Sequence, residues 1–139
     1  YPQNRENFKP HEMSRSAKEL AWTMVGEEKS VVEGVIAGEI DFSIMAKIPA
    51  TMQEVISFYE ESLAEMVVNF KEFCEEDLSQ NIKFYVAPRT LGDVKKIDLL
   101  WMIALMDAIH HRGQFSVYLR MAGGKVPSIY GPSADEPWN

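Results

Sequence analysis

A carboxylate and an imidazole that could share one task stand four positions apart at Asp107 and His111. In an α-helix that spacing brings the chain back to within about 40° of the same direction, so both side chains address one point. The stripe they belong to reads Leu100, Ile103, Asp107, His110 or His111, Gln114, Tyr118 and Met121, an apolar seam interrupted by polar groups. Such groups in a helical core cost free energy unless each finds a partner. The two can partner each other through a hydrogen bond, or they can hold a divalent cation between facing helices, as bundle cores do.

The elements that must carry this stripe follow from periodicity and capping. A helix is expected to start near Ser14 or Ser16, because Ser16-Ala17-Lys18-Glu19 has the Ser-x-x-Glu spacing that satisfies free amides at a helix start. Its apolar positions recur at Ala17, Leu20, Met24, Val31 and Val35, and it should stop near Gly38. A connection containing the apolar stretch Phe42 to Met45 closes at Pro49. Thr51 and Glu54 form a second capping box, and the helix they open presents Met52, Ile56, Tyr59, Leu63, Met66, Phe70 and Phe73 as a seam. Ile82 to Val86 reads as a short extended segment before Pro88, and Leu91-Gly92 as a turn. A third long helix is predicted from about Asp93 to about Met121, stopped by Gly123-Gly124. The flanks, residues 1–10 and Val126 to Asn139, carry prolines without periodicity and read as ordered arms. The expectation is a single all-α domain over residues 1–139, built by antiparallel bundle packing.

The 14 basic and 21 acidic residues leave a net charge of −7, and Lys95-Lys96 is the one adjacent basic pair. That balance disfavours phosphate backbones and anionic lipid, so neither nucleic acid nor a membrane is expected as a partner. A single cysteine, Cys74, among Glu72, Glu75 and Glu76, allows no internal disulfide and no CxxC motif. It reads as a half-buried structural residue, and the cytoplasm is the expected compartment. Trp22, Trp101 and Phe84-Tyr85 are expected to pack in the core.

Two segments resemble a known family. Ile109-His110-His111-Arg112-Gly113-Gln114-Phe115-Ser116-Val117-Tyr118-Leu119-Arg120, continued by Ala122-Gly123-Gly124-Lys125-Val126-Pro127 and the run to Glu136, closely resembles the C-terminal signature of the DinB-like (damage-inducible protein) family of metalloenzymes. Phe8-x-Pro10 and Ser14-Arg15-Ser16-Ala17-Lys18-Glu19-Leu20-Ala21-Trp22 resemble the opening of that family's metal-bearing early helix. The resemblance implies a four-helix bundle, often dimeric, with a divalent ion held by three histidines. One comes from the early helix and two, four apart, from the His-His-Arg-Gly-Gln helix. Position by position, the last falls on His111, whereas the others fall on Thr23 and Asp107.

This departure leaves a degenerate triad of Asp107 and His111, with Glu27 or Glu28 as the residue that completes an Asp-His-Glu set. A site richer in carboxylates suits manganese, iron or zinc better than an all-nitrogen site would, and nickel is a further candidate. His11 lies in the arm, away from the matching position. The family also has a helix before the segment that corresponds to Phe8, where seven residues stand here. That first helix is expected to be trimmed or absent, or the bundle to be completed by a partner subunit.

The resemblance implies a metal-dependent enzyme of bacteria, an S-transferase or isomerase that uses a low-molecular-weight thiol on a small-molecule substrate. His110 and Glu27 are then the candidates for proton transfer, and Arg112 is expected to tie its helix to neighbouring chain or to Asp135. The rival expectation is a non-catalytic stress-response or ligand-binding bundle, without metal, in which Asp107, His111 and Gln114 form a satisfied polar core.

Overall fold

The structure is a computed structural model that describes residues 1–42, 44, 46–71, 73–86 and 89–138. The expectations that involve Met45, Glu72, Pro88 and Asn139 lie outside the described residues.

Helix α1 spans Ala17–Ala37 and begins at the capping box expected for it: Ser16 Oγ accepts from the Glu19 amide, and the Glu19 carboxylate accepts from the Ser16 amide. It ends at Gly38, whose φ of 89° is a conformation that a side chain would strain. The chain then enters β1 (Glu39–Asp41) at once. Helix α2 (Met52–Phe70) opens on the Thr51–Glu54 capping box. A single-turn helix, α3 (Glu75–Leu78), leads into β2 (Asn81–Val86) and β3 (Arg89–Lys95).

The last helix runs from Lys96 to Met121 in three continuous parts: α4 (Lys96–Leu99), a π-helical segment (Leu100–Asp107) and α5 (Ala108–Met121). It starts at Lys96 rather than near Asp93, because residues up to Lys95 are committed to β3. π-Helical turns, with i→i+5 hydrogen bonds, are uncommon and concentrate at functional sites. Here they end at Asp107.

The protein is therefore a four-helix arrangement with an added small sheet, and the all-α expectation is corrected. Strand order is β1-β2-β3, with β1 parallel to β2 and β2 antiparallel to β3. The physical reason is a second core. Ile40 on β1 and Ile82 and Phe84 on β2 alternate with solvent-facing residues and bury one face against Val31 and Val35 of α1 and Leu99 of α4. Leu91-Gly92 makes no chain reversal. Gly92, with φ 97°, sits at a register shift where Phe84 pairs Gly92 and Tyr85 pairs Thr90, so the extra residue is a bulge within the ladder.

Helix α1 is the central element and touches α2, the π segment and α5. Lys29 reinforces its contact with α2 by pairing with Glu65 at 3.0 Å, and pairs within α1 with Glu33 at 3.3 Å. The expected seam of α2 is only partly correct. Met52 and Met66 are buried beside Val55 and Ser62, while Ile56, Tyr59, Leu63 and Phe70 are substantially exposed. Ile56 and Tyr59 instead line a largely apolar groove of about 840 Å³ between α2 and the last helix, with Trp101, Leu105 and Ile109 opposite them. Trp101 is accordingly exposed, against the expectation of core packing. Trp22 meets that expectation: it is buried, packs edge-on against Phe58 at 4.8 Å, and donates from its indole N–H to the Ala46 carbonyl. Cys74 is exposed rather than half-buried, and its thiol donates to Asp77 Oδ2 at 3.0 Å at the start of α3.

Both arms are tied to the body. The amides of Ala17 and Lys18 donate to the carbonyls of Phe8 and Glu6, and the Phe8 ring meets Tyr118 edge-on. The C-terminal arm is held by Asp135, which pairs with Arg120 and accepts from the Val126 amide. The acid expected to bind Arg112 thus binds Arg120. It lies two helical turns further along, at the end of α5 where the arm folds back.

Candidate metal centre

The first half of α1 lies against the junction of the π segment and α5, and the polar positions of both helices meet there. One turn of α5 separates Asp107 from His111. His111 Nδ1 lies 3.4 Å from Asp107 Oδ2 and 3.3 Å from the Asp107 carbonyl oxygen. Glu27 approaches from α1. One ligand atom from each of Glu27, Asp107 and His111 falls within 4.8 Å of the other two, and all three residues are half-buried. Among the described residues this is a candidate divalent-metal site of one nitrogen and two oxygen donors.

The electrostatics of the cluster are those of donors awaiting a cation. Loss of water around Glu27, reinforced by a hydrogen bond to Asp107 and by that residue's charge, pushes its carboxyl up to about 7, while Arg15 pulls it down. Like charge in contact makes ionising Glu27 costly unless a compensating positive charge is supplied. Burial holds the His111 imidazole below its ordinary range, with His110 and Arg15 acting in the same direction and Asp107 against them. The ring is then neutral at pH 7, the form that ligates a metal. Two oxygens and a neutral imidazole match what zinc, manganese or iron accepts, so the residues present fit a divalent ion.

Other candidates lie apart. Thr23 is fully engaged: its hydroxyl donates to the Glu19 carbonyl at 3.0 Å and accepts from Arg15 Nη1 at 3.1 Å, and it is outside the cluster. Glu28 faces the apolar groove, where burial raises its pKa. His110 points away from the cluster's interior, is exposed, and has its Nε2 3.0 Å from the Gln114 amide nitrogen. Its ring lies 5.2 Å from that of His111. Of the two histidines left open by the periodicity, His111 is the inward one. His11 remains in the arm, where its Nδ1 accepts from the Met13 amide.

A cavity of about 500 Å³ opens beside the cluster, lined by His110, His111, Gln114 and Tyr118 from α5 and by Ser14 and Arg15 from the segment before α1. Arg15 is a residue the sequence reading quoted only as part of a motif. Its place next to Ser16, one turn before Glu19, was the available signal.

A helical arrangement that gathers an Asp-His-Glu donor set between its first long helix and its last defines a helical domain with a candidate metal centre. The DinB family model matches residues 5–138, and the chain belongs to the DinB family. It is 28% identical over 109 residues to the uncharacterized protein YrdA of Bacillus subtilis (strain 168), a match covering 74% of this chain and 62% of that protein. The chain thus spans less than two thirds of that relative's length. Among solved structures, a DinB-like protein of Bacillus subtilis (YjoA) superposes with a TM-score of 0.73 at 23% identity, over 91% of this chain and 82% of that one. A DinB-like protein of Bacillus cereus ATCC 10987 gives 0.72 at 19% identity, over 91% and 81%. At these identities the two structures establish the fold.

Proposed function

We infer that this protein is a metal-dependent enzyme whose divalent ion is held by Glu27, Asp107 and His111, and which transfers or isomerises a group by means of an external thiol. The observation that carries the reading is the convergence of two carboxylates and a neutral imidazole within 4.8 Å in a half-buried setting. A divalent ion bound there supplies Lewis acidity, which lowers the pKa of a thiol brought to it. In a transfer the thiol sulfur forms a bond to an electrophilic carbon of the substrate, and the leaving group departs with its electron pair. The thiol's proton passes to His110, exposed at the mouth of the cavity, and returns to the leaving group. Glu27, the other candidate for proton transfer, would fill that role only if the ion were held by Asp107 and His111 without it.

The whole chain, 1–139, acts as one domain in this reading. It works as a homodimer in the bacterial cytoplasm on a small-molecule substrate, and the net charge of −7 argues against nucleic acid. None of the helices is long and apolar enough to cross a membrane among the described residues.

Two observations favour a second reading. Glu27 and Asp107 are hydrogen-bonded to each other, and Thr23 stands where the family resemblance puts a histidine, which suits a non-catalytic ligand-binding or stress-response bundle. Elemental analysis of the purified protein, beside an Asp107→Ala, His111→Ala double variant, separates the two. About one ion per chain in the wild type and none in the variant supports the enzyme. No ion in the wild type at any added concentration overturns it.

A further inference from the structure

The residue that holds Thr23 is also the cation of the site. Arg15 Nη1 donates to Thr23 Oγ1 at 3.1 Å, and the Arg15 carbonyl accepts from the Tyr118 hydroxyl at 3.1 Å, which ties this segment to α5. Its guanidinium acts electrostatically on both Glu27 and His111, so it lies within charge range of the cluster. It lines the 500 Å³ cavity together with His110, His111 and Gln114. It is exposed, and among the described residues no carboxylate forms an ion pair with it. A guanidinium has five N–H donors in a planar fork, and the one bond to Thr23 leaves most of them for a ligand.

Charge counting gives the sign of that ligand. Ionised Glu27 and Asp107 balance a divalent cation, His111 is neutral, and Arg15 is left as unmatched positive charge at the cavity wall. A carboxylate answers both the charge and the planar geometry of the fork. We propose that Arg15 is the anion-recognition residue of this cavity, and that the site takes a small thiol bearing a carboxylate, which Arg15 holds while the sulfur faces Glu27, Asp107 and His111. This rests on the metal-centre reading above, and Thr23 then has a role of its own. The hydroxyl that stands where the family resemblance puts a histidine orients the guanidinium.

The test compares two thiols that differ in the carboxylate, 3-mercaptopropionate and 2-mercaptoethanol, on protein loaded with Co(II), with thiolate coordination read from the charge-transfer absorption. In the wild type the anionic thiol is expected to bind about tenfold more tightly, the scale of one charge-assisted hydrogen-bonded pair. Arg15→Gln is expected to collapse that ratio toward unity. Arg15→Lys should retain part of the preference. An equal ratio in wild type and Arg15→Gln, or no preference in the wild type, overturns the proposal. If Co(II) is not retained, the metal-centre reading fails separately. The Arg15 site is then read in metal-free protein by NMR with propionate: displaced Arg15 Nε–H and Gln114 amide resonances, lost in Arg15→Gln, support it, and unmoved resonances overturn it.

Discussion

The Glu27 carboxyl on α1 is hydrogen-bonded to the Asp107 carboxylate at the last π-helical turn, so two acidic groups from distant parts of the sequence meet beside His111. Removing one of them tests the donor set directly. Glu27→Gln keeps the size and a hydrogen-bond donor toward Asp107 but removes an anionic ligand. Affinity for Zn(II) is expected to fall by more than about 100-fold, beyond the range associated with losing an outer-shell partner. Competition against a chromophoric chelator measures it, and unchanged affinity would remove Glu27 from the site.

Burial of Glu27, reinforced by the same contact, sets a pH dependence in metal-free protein. The Glu27 carboxyl rises from 4.5 to about 7 on folding, so between those values the native state binds more protons than the unfolded one. Its contribution to stability is complete below 4.5 and is lost as pH rises through about 7. His111 works the other way. Its lowered pKa makes stability rise with pH up to the ordinary value of 6.5. The difference between wild type and Glu27→Gln isolates the first effect. Denaturant midpoints taken across this window should show the variant gaining on the wild type as pH increases. Parallel curves would contradict the assignment.

Packing at the other end of α1 is tested by Gly34. A Cβ there would stand 2.1 Å from Ile40 Cγ1 and 2.8 Å from the Glu39 carbonyl oxygen. The second contact is with backbone and cannot be relieved by a rotamer change. Gly34 therefore lets β1 lie directly on the helix and deliver Ile40 to the core. Although alanine is the better helix former by about 1 kcal/mol, Gly34→Ala is expected to destabilise the protein by about 1–3 kcal/mol net. Urea unfolding measures this. A neutral or stabilising result would mean that β1 moves away at little cost.

Legibility in the sequence followed local signals. Ser16–Glu19 and Thr51–Glu54 state their helix starts in four residues each, and Gly38 states the end of α1, because caps are satisfied by neighbours in sequence. The spacing of Asp107 and His111 was readable for the same reason. Glu27 entered only as the acid one turn after Thr23 or as its neighbour Glu28. Periodicity on α1 could not choose between them, since the choice depends on how α1 rotates against α5. The sheet was hidden because β1 has three residues, and because β3 carries polar residues and a bulged glycine. The α2 seam misled because Ile56 and Tyr59 have the spacing of core residues yet line a groove.

Asp135 ties the C-terminal arm to the end of α5 through the Arg120 guanidinium. Asp135 is kept well below the usual carboxylate range first by the Arg120 guanidinium and then by the Val126 amide, and Glu136 adds a bond from the Ser128 amide at 2.7 Å. Arg120 and Glu136 are exposed and Asp135 is only half-buried, so the loss of this pair should barely alter global stability. It should alter the arm, whose backbone makes few other ties to the body. Asp135→Ala is expected to leave the unfolding midpoint within experimental error while raising amide exchange at Val126 and Ser128 and opening residues 126–136 to limited proteolysis. The release would also loosen Tyr130, which lines the apolar groove between α2 and the last helix. Binding of a hydrophobic fluorophore to that groove should change in the variant. Unaltered exchange at Val126 would show that the arm is held by its apolar contacts instead.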